Sequence, residues 1–214
     1  GDITNMIRSY IHRCQKDGVK IVMNCEVTPE LIKEEKPDSV IIATGSKTLI
    51  LPIEGIDNPA IIHGSDLLDG KRAAGKKVLV VGGGMVGCET AAFLGEQEHD
   101  VTVIEFRDTV GADVIHEHRV YLMKDFEDYG IKEITGAKVC KFYEDGVEYE
   151  TADGVRHESR GYDSVILSMG FRNYNPLEEK IKDLVPETHV IGDAIRARRA
   201  LDATKEAYEV ASRI

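Results

Sequence analysis

Three glycines and one acid are the residues of this sequence whose types and spacing point to chemistry. Gly82, Gly84 and Gly87 stand in G-x-G-x-x-G spacing. Gly82 permits a tight turn. Gly84 has no Cβ, so the backbone there can touch a pyrophosphate. Gly87 lets a following helix lie close to the strands. The first turn of such a helix offers unpaired N–H groups and a partial positive charge to a diphosphate. That adds Gly83, Met85 and Val86 to the candidate contacts. Glu105, further along, is placed to accept hydrogen bonds from adenosine ribose hydroxyls, and Arg107 follows it. The chemistry expected is the binding of a dinucleotide.

The flanking elements must position these residues. Residues 78–81 are apolar, β-branched and stopped by glycine, which predicts a short buried strand. Helical periodicity over residues 88–97 places Ala91, Ala92 and Leu94 inward. Residues 101–105 form a second strand that ends in the acid. Strand, glycine turn, helix, strand and terminal acid is the order that dinucleotide binding requires.

The 214 residues suit one large domain or two small ones. A net charge of −11 disfavours nucleic acid and anionic membranes as partners. No apolar run approaches a membrane span, and no signal peptide is recognisable. Cys14, Cys25, Cys88 and Cys140 are scattered without C-x-x-C, which disfavours a metal or iron–sulfur site and suits a reducing, cytoplasmic setting. His116 and His118 are two apart on a predicted helix, hence on different faces, and read as solvated side chains rather than a metal pair. The first residue is not Met, so the chain is read as processed or as a piece of a longer one.

The remaining elements alternate at first. A helix is predicted over residues 3–16, with Ile3, Met6, Ile7, Tyr10 and Ile11 on one face. A strand follows over 19–23. Thr28 and Pro29 open a short helix to about Lys36. Residues 39–42 form a buried strand. Residues 46–75, rich in Gly and Pro, read as a crossover with a helical turn near 65–68. A helix is expected over 114–129. Residues 138–143, 146–151 and 156–160 read as a three-stranded antiparallel meander with Asp-Gly at both joints. A buried strand over 164–167, an irregular link over 171–184, a short strand over 189–191 and a helix over 200–213 complete the chain. The fold class is therefore α/β: a Rossmann-like parallel sheet with an antiparallel meander.

Ala43-Thr44-Gly45, Pro52 and Gly55, the glycine motif with Glu89 at Gly-x-Glu, and Gly192-Asp193 together resemble the two-dinucleotide-binding flavoproteins. The sequence is most similar to the reductase part of NADH:flavin oxidoreductases of the 2,4-dienoyl-CoA reductase, enoate reductase and trimethylamine dehydrogenase type. The resemblance covers essentially the whole chain. It implies an NAD(P)H domain, residues 46–170, inserted into an FAD-type domain represented by residues 1–45 and 171–214. Glu89 would lie on the nicotinamide side. Gly170 would contact cofactor after the Ser168-Met169-Gly170 turn. Gly192 and Asp193 would meet the flavin ribityl chain, and Ala43-Thr44-Gly45 is the turn leaving the FAD-type domain. The first FAD-binding glycine turn is absent, as are the FMN barrel and its iron–sulfur cysteines, which the resemblance places in a missing N-terminal part. Glu98 stands where the family has Gly.

The resemblance implies an NADH-dependent flavin oxidoreductase, of which this chain receives the hydride donor. NADH is expected over NADPH because Glu105 would face the extra phosphate. FAD is expected in the full-length protein, and the chain alone is expected to hold no stoichiometric flavin and to turn over poorly. No residue is assigned as nucleophile or general base. The partners expected are the nicotinamide dinucleotide and a flavin, with a homo-oligomer left open. Two other readings remain: a non-catalytic NAD-binding module, and a fragment of a disulfide reductase, which would need a redox-active cysteine pair.

Overall fold

The structure, a computed structural model, describes residues 2–214; Gly1, the start of the predicted N-terminal flank, lies outside them. In chain order the elements are α1 (Asp2–Lys16), α2 (Pro29–Glu35), β1 (Ser39–Ile42), β2 (Ser46–Thr48), β3 (Ile62–His63), α3 (Gly64–Leu68), β4 (Lys77–Val81), α4 (Met85–Glu96) and β5 (Asp100–Ile104). Then come α5 (His116–Asp128), β6 (Lys132–Ile134), β7 (Lys138–Tyr143), β8 (Gly146–Glu150), β9 (Arg156–Ser159), β10 (Ser164–Leu167), β11 (Phe171–Asn173), α6 (Glu178–Ile181), β12 (Glu187–Val190) and α7 (Ala200–Ala211). They form two compact units, one of residues 45–174 and one of residues 2–44 with 175–214.

The first unit is built on a five-stranded sheet in the order β3-β10-β4-β5-β6, with every pair parallel. Alternation along β4 shows how it is covered. Val78 and Val80 pack with Ala91 and Leu94 of α4 and with Leu122 and Phe126 of α5. Leu79 and Val81 point the other way, onto Val139, Phe142 and Val147 of the meander. Successive strand residues face opposite sides, so a strand covered on both faces reads as an unbroken apolar run. Edge strand β6 was not legible in the sequence. It has only three residues, two of them charged and exposed, as an edge that must resist further pairing requires.

The meander pairs β7 with β8 and β8 with β9, all antiparallel. Its first joint differs from the primed turn that Asp-Gly announces. Neither Glu144, Asp145 nor Gly146 has positive φ. Gly146 is instead already in β8, where a Cβ would lie 2.0 Å from the Ser159 carbonyl oxygen. Asp145 ties the joint by accepting from Arg160 Nε at 2.7 Å and Gly161 N at 3.1 Å. The second joint does use a left-handed glycine, Gly154. The crossover over 46–75 and the link over 171–184 contain elements too short to show periodicity. Among them β2 and β11 pair antiparallel.

In the second unit β1 and β12 pair in parallel, and Ile32, Ile42, Leu177, Ile181 and Val185 make the core. Thr28 caps α2 through Leu31 N at 3.3 Å, and Lys36 closes it in the left-handed region. Two expectations are corrected here. Residues 19–23 form no strand; their apolar side chains are exposed and no strand pairs with them among the described residues. An isolated strand has nowhere to place its backbone hydrogen bonds. Strand β1 is only partly buried: Ile42 is covered but Ile41 is exposed, because a two-stranded sheet leaves one face open. Helix α1 forms, yet Ile3, Met6, Ile7, Tyr10 and Ile11 all stay exposed.

Candidate dinucleotide site

The glycine turn joins β4 to α4. Gly82 has φ of +104° and donates its N–H to the Ile104 carbonyl at 2.9 Å. A Cβ on Gly82 would lie 2.5 Å from the Ser168 carbonyl oxygen, and one on Gly87 only 1.8 Å from the Gly82 carbonyl oxygen. These two glycines therefore let α4 pack onto the strand ends. Gly84 differs. It caps α4 with φ of −73°, and a Cβ there would meet only the Asp113 carboxylate, at 3.2 Å. Asp113 Oδ1 accepts from Met85 N at 2.9 Å. A carboxylate thus sits where the first turn of α4 offers its positive end.

Glu105 follows β5 directly. Its Oε2 accepts from Gly83 N at 2.6 Å and its Oε1 from Arg107 N at 2.9 Å. A carboxylate has about four lone-pair positions, so the group keeps acceptor capacity beyond these two bonds. The Arg107 side chain is exposed. The structure thus brings residues 82–87, Glu105 and Arg107 together at the carboxyl ends of β4 and β5. Backbone N–H groups at Gly83 and Met85 hold anionic oxygens from the protein itself.

Glu89 lies on another face of α4, exposed, with its Oε1 4.0 Å from Nδ1 of the exposed His118 on α5. Gly170 has φ of +93° and lines a cleft with Val86 and Ser168. Gly45, with φ of +75°, accepts from Tyr174 N at 3.0 Å, and Gly170 accepts from Leu49 N at 2.9 Å. In the second unit, Ala43 and Thr44 follow β1 while Gly192 and Asp193 follow its neighbour β12, so both pairs stand at one end of that sheet. Gly192 and Asp193 open a 3-10 turn, Gly192–Ala194. Gly192 N donates to Glu206 Oε2 at 2.7 Å, and Asp193 Oδ1 accepts from Arg198 N at 3.0 Å. Glu206 also pairs with Arg198. The Arg198 guanidinium, then the Gly192 N–H, hold the Glu206 carboxyl below the usual carboxylate range.

Asp113 and Glu206 were not singled out in the sequence. Each acts across a loop or between elements, where no spacing rule applies. Cys88 lies under the glycine turn, its thiol 3.3 Å from the Gly83 carbonyl, and burial pushes it up to about 12. It is therefore no nucleophile at neutral pH. All four cysteines are free. Among the described residues no cluster of His, Cys, Asp or Glu could hold a metal ion, and no helix is long and apolar enough to cross a membrane.

Comparison with known proteins agrees with this geometry. The profile of the family described as pyridine nucleotide-disulphide oxidoreductase matches residues 4–188. The chain is 31% identical over 200 residues to cinnamate reductase of Clostridium sporogenes, covering 92% of this chain and 30% of that protein. It is 33% identical over 214 residues to bilirubin reductase of Mediterraneibacter gnavus, covering 99% and 33%. A solved 2-naphthoyl-CoA reductase in complex with 2-naphthoyl-CoA superposes with a TM-score of 0.89 at 31% identity, over 100% of this chain and 32% of that one. The chain thus spans about a third of the length of these relatives. With a matched profile over most of its length and the β4–α4 glycine turn in place, the chain belongs to the pyridine nucleotide-disulphide oxidoreductase family.

Proposed function

We propose that this chain is the pyridine-nucleotide part of a larger NADH-dependent flavin oxidoreductase that reduces conjugated substrates in the manner of enoate and dienoyl-CoA reductases. The observation that carries the reading is the glycine turn between β4 and α4, with Glu105 beside it at the end of β5. In this reading residues 46–170 are the NAD(P)H domain, and residues 1–45 and 171–214 are parts of an FAD-type domain. The names of the relatives, cinnamate reductase and 2-naphthoyl-CoA reductase, support the substrate class. FAD, with FMN and an iron–sulfur cluster, would belong to the intact protein.

The residue roles are part of this proposal. Gly84 and Val86 bind the diphosphate through backbone N–H groups at the end of α4, and Met85 joins them once its N–H exchanges the Asp113 carboxylate for a phosphate oxygen. Glu105 accepts from the adenosine ribose. As the resemblance implies, Glu89 and Gly170 would serve the nicotinamide, and Ala43, Thr44, Gly45, Gly192 and Asp193 the flavin. The cofactors supply hydride transfer; the chain supplies binding and orientation. NADPH would place its extra phosphate against Glu105, and like charges about 4 Å apart repel by roughly 4 kcal/mol at an effective dielectric of 20. Arg107 offsets part of this. Calorimetric titration of NADH and NADPH into wild type and Glu105→Ala tests the assignment. Wild type should prefer NADH, and the variant should lose most of that preference. Equal wild-type affinities would contradict it.

A further inference from the structure

Two acids share the donors of the glycine turn, and they are held differently. Glu105 is partly buried and accepts from two backbone N–H groups, Gly83 at 2.6 Å and Arg107 at 2.9 Å. Asp113 is exposed, and its bond to the turn is the one from Met85 N at 2.9 Å. The Asp113 carboxylate also lies over Gly84, where a Cβ would stand 3.2 Å from Oδ2 and 3.4 Å from Oδ1. It therefore fills the space that glycine leaves open at the first turn of α4. It also brings a negative charge to the positive end of that helix.

The loop that carries Asp113 is anchored on both sides. Val110 and Val114 are buried. Gly111 N donates to the Gly83 carbonyl at 2.7 Å, and Val114 N to the Gly111 carbonyl at 3.1 Å. Arg119 of α5 donates to the Val110 carbonyl at 3.1 Å. Asp113 stands between these anchors with its side chain in solvent. Rotation to another side-chain rotamer is enough to withdraw the carboxylate, with the loop left in place.

We infer that Asp113 is an anionic stand-in for the diphosphate: in the unliganded chain its carboxylate holds the first turn of α4, and a dinucleotide must displace it to bind. This rests on the dinucleotide reading above. A contact made only in the unliganded chain lowers the apparent affinity by what it contributes. The charge also opposes phosphates that enter beside it. Asp113 thus weakens cofactor binding while it caps α4. A residue that only builds the site would act the other way, so its removal would weaken binding.

The test is Asp113→Ala and Asp113→Asn in the full chain, with NADH, ADP and adenosine titrated calorimetrically and thermal melts without ligand. Asp113→Ala should bind NADH and ADP on the order of tenfold more tightly than wild type, as for one charge-assisted hydrogen bond that no longer has to be broken. Asp113→Asn keeps an acceptor but loses the charge, and should gain by a smaller factor; it carries the test if the alanine variant does not fold. Adenosine has no phosphate and should gain nothing. Without ligand Asp113→Ala should melt below wild type, because the first turn of α4 loses its acceptor. NADH affinity unchanged or weakened in the folded variants would overturn the stand-in role and leave Asp113 a helix cap alone, with the dinucleotide reading intact. An equal gain for adenosine would overturn it as well. Failure of wild type and both variants to bind NADH or ADP would overturn the dinucleotide reading, and the stand-in role with it.

Discussion

Gly84 and Gly87 are three residues apart yet have different jobs. At Gly87 a side chain has no room, because its Cβ would overlap the Gly82 carbonyl at 1.8 Å. Gly87→Ala should therefore destabilise the chain by about 3 kcal/mol, the upper part of the usual overpacking range. At Gly84 the backbone suits any residue, and the nearest atoms belong to a flexible acid. Gly84→Val should cost less than about 1 kcal/mol. Urea unfolding of both variants checks this; similar losses at the two positions would contradict it. The glycines were legible in the sequence because steric exclusion acts through fixed backbone spacing. Asp113 was not, because its bond to Met85 N spans a loop whose path no local rule sets. Glu105 was legible as an acid at a strand end, but its bond to Gly83 N was not.

At the scale of elements, the end of α4 shows how a left-handed turn is made without glycine. Glu98, where the resemblance leads one to expect Gly, takes φ of +62°, a left-handed conformation. Its carbonyl accepts from Lys76 Nζ, a backbone contact that does not need the glutamate side chain. Such a conformation costs a non-glycine residue roughly 1–2 kcal/mol, partly offset by the greater freedom of an unfolded glycine. Glu98→Gly should thus raise stability by about 1 kcal/mol in thermal melts. A lower melting temperature would mean that the Glu98 side chain contributes more than its backbone costs.

The second unit contributes one pH dependence. Arg198 and the Gly192 N–H depress the Glu206 carboxyl in the folded chain. Such a group stabilises the fold above its unfolded value, and that contribution is lost as pH falls through the folded one. Glu206→Gln should lower the melting temperature at neutral pH, and the difference from wild type should shrink as pH drops below the usual carboxylate range. A difference independent of pH would remove the ion pair as its cause. The helices α1, α4, α5 and α7 were legible in the sequence, as were the strands β4, β5 and β10 as short apolar runs. Residues 19–23 read as a strand from composition alone, yet formed none without a partner to pair with.

At the scale of the whole molecule, a chain of net charge −11 is expected to bind an anionic cofactor. Its field opposes that approach, so local backbone donors at the first turn of α4 must supply the attraction. The exposed apolar faces of α1 and residues 19–23, in a chain a third the length of its relatives, fit the proposal that the flanks are parts of a larger FAD-type domain. The central claim is that residues 82–87 bind a nicotinamide dinucleotide. The most direct test is calorimetric titration of NADH into wild type and into Gly84→Val shown to be folded by circular dichroism. The expected result is one NADH per wild-type chain and no binding by the variant, whose side chain fills the place of the diphosphate. Tight NADH binding by a folded Gly84→Val, or none by wild type, would contradict it.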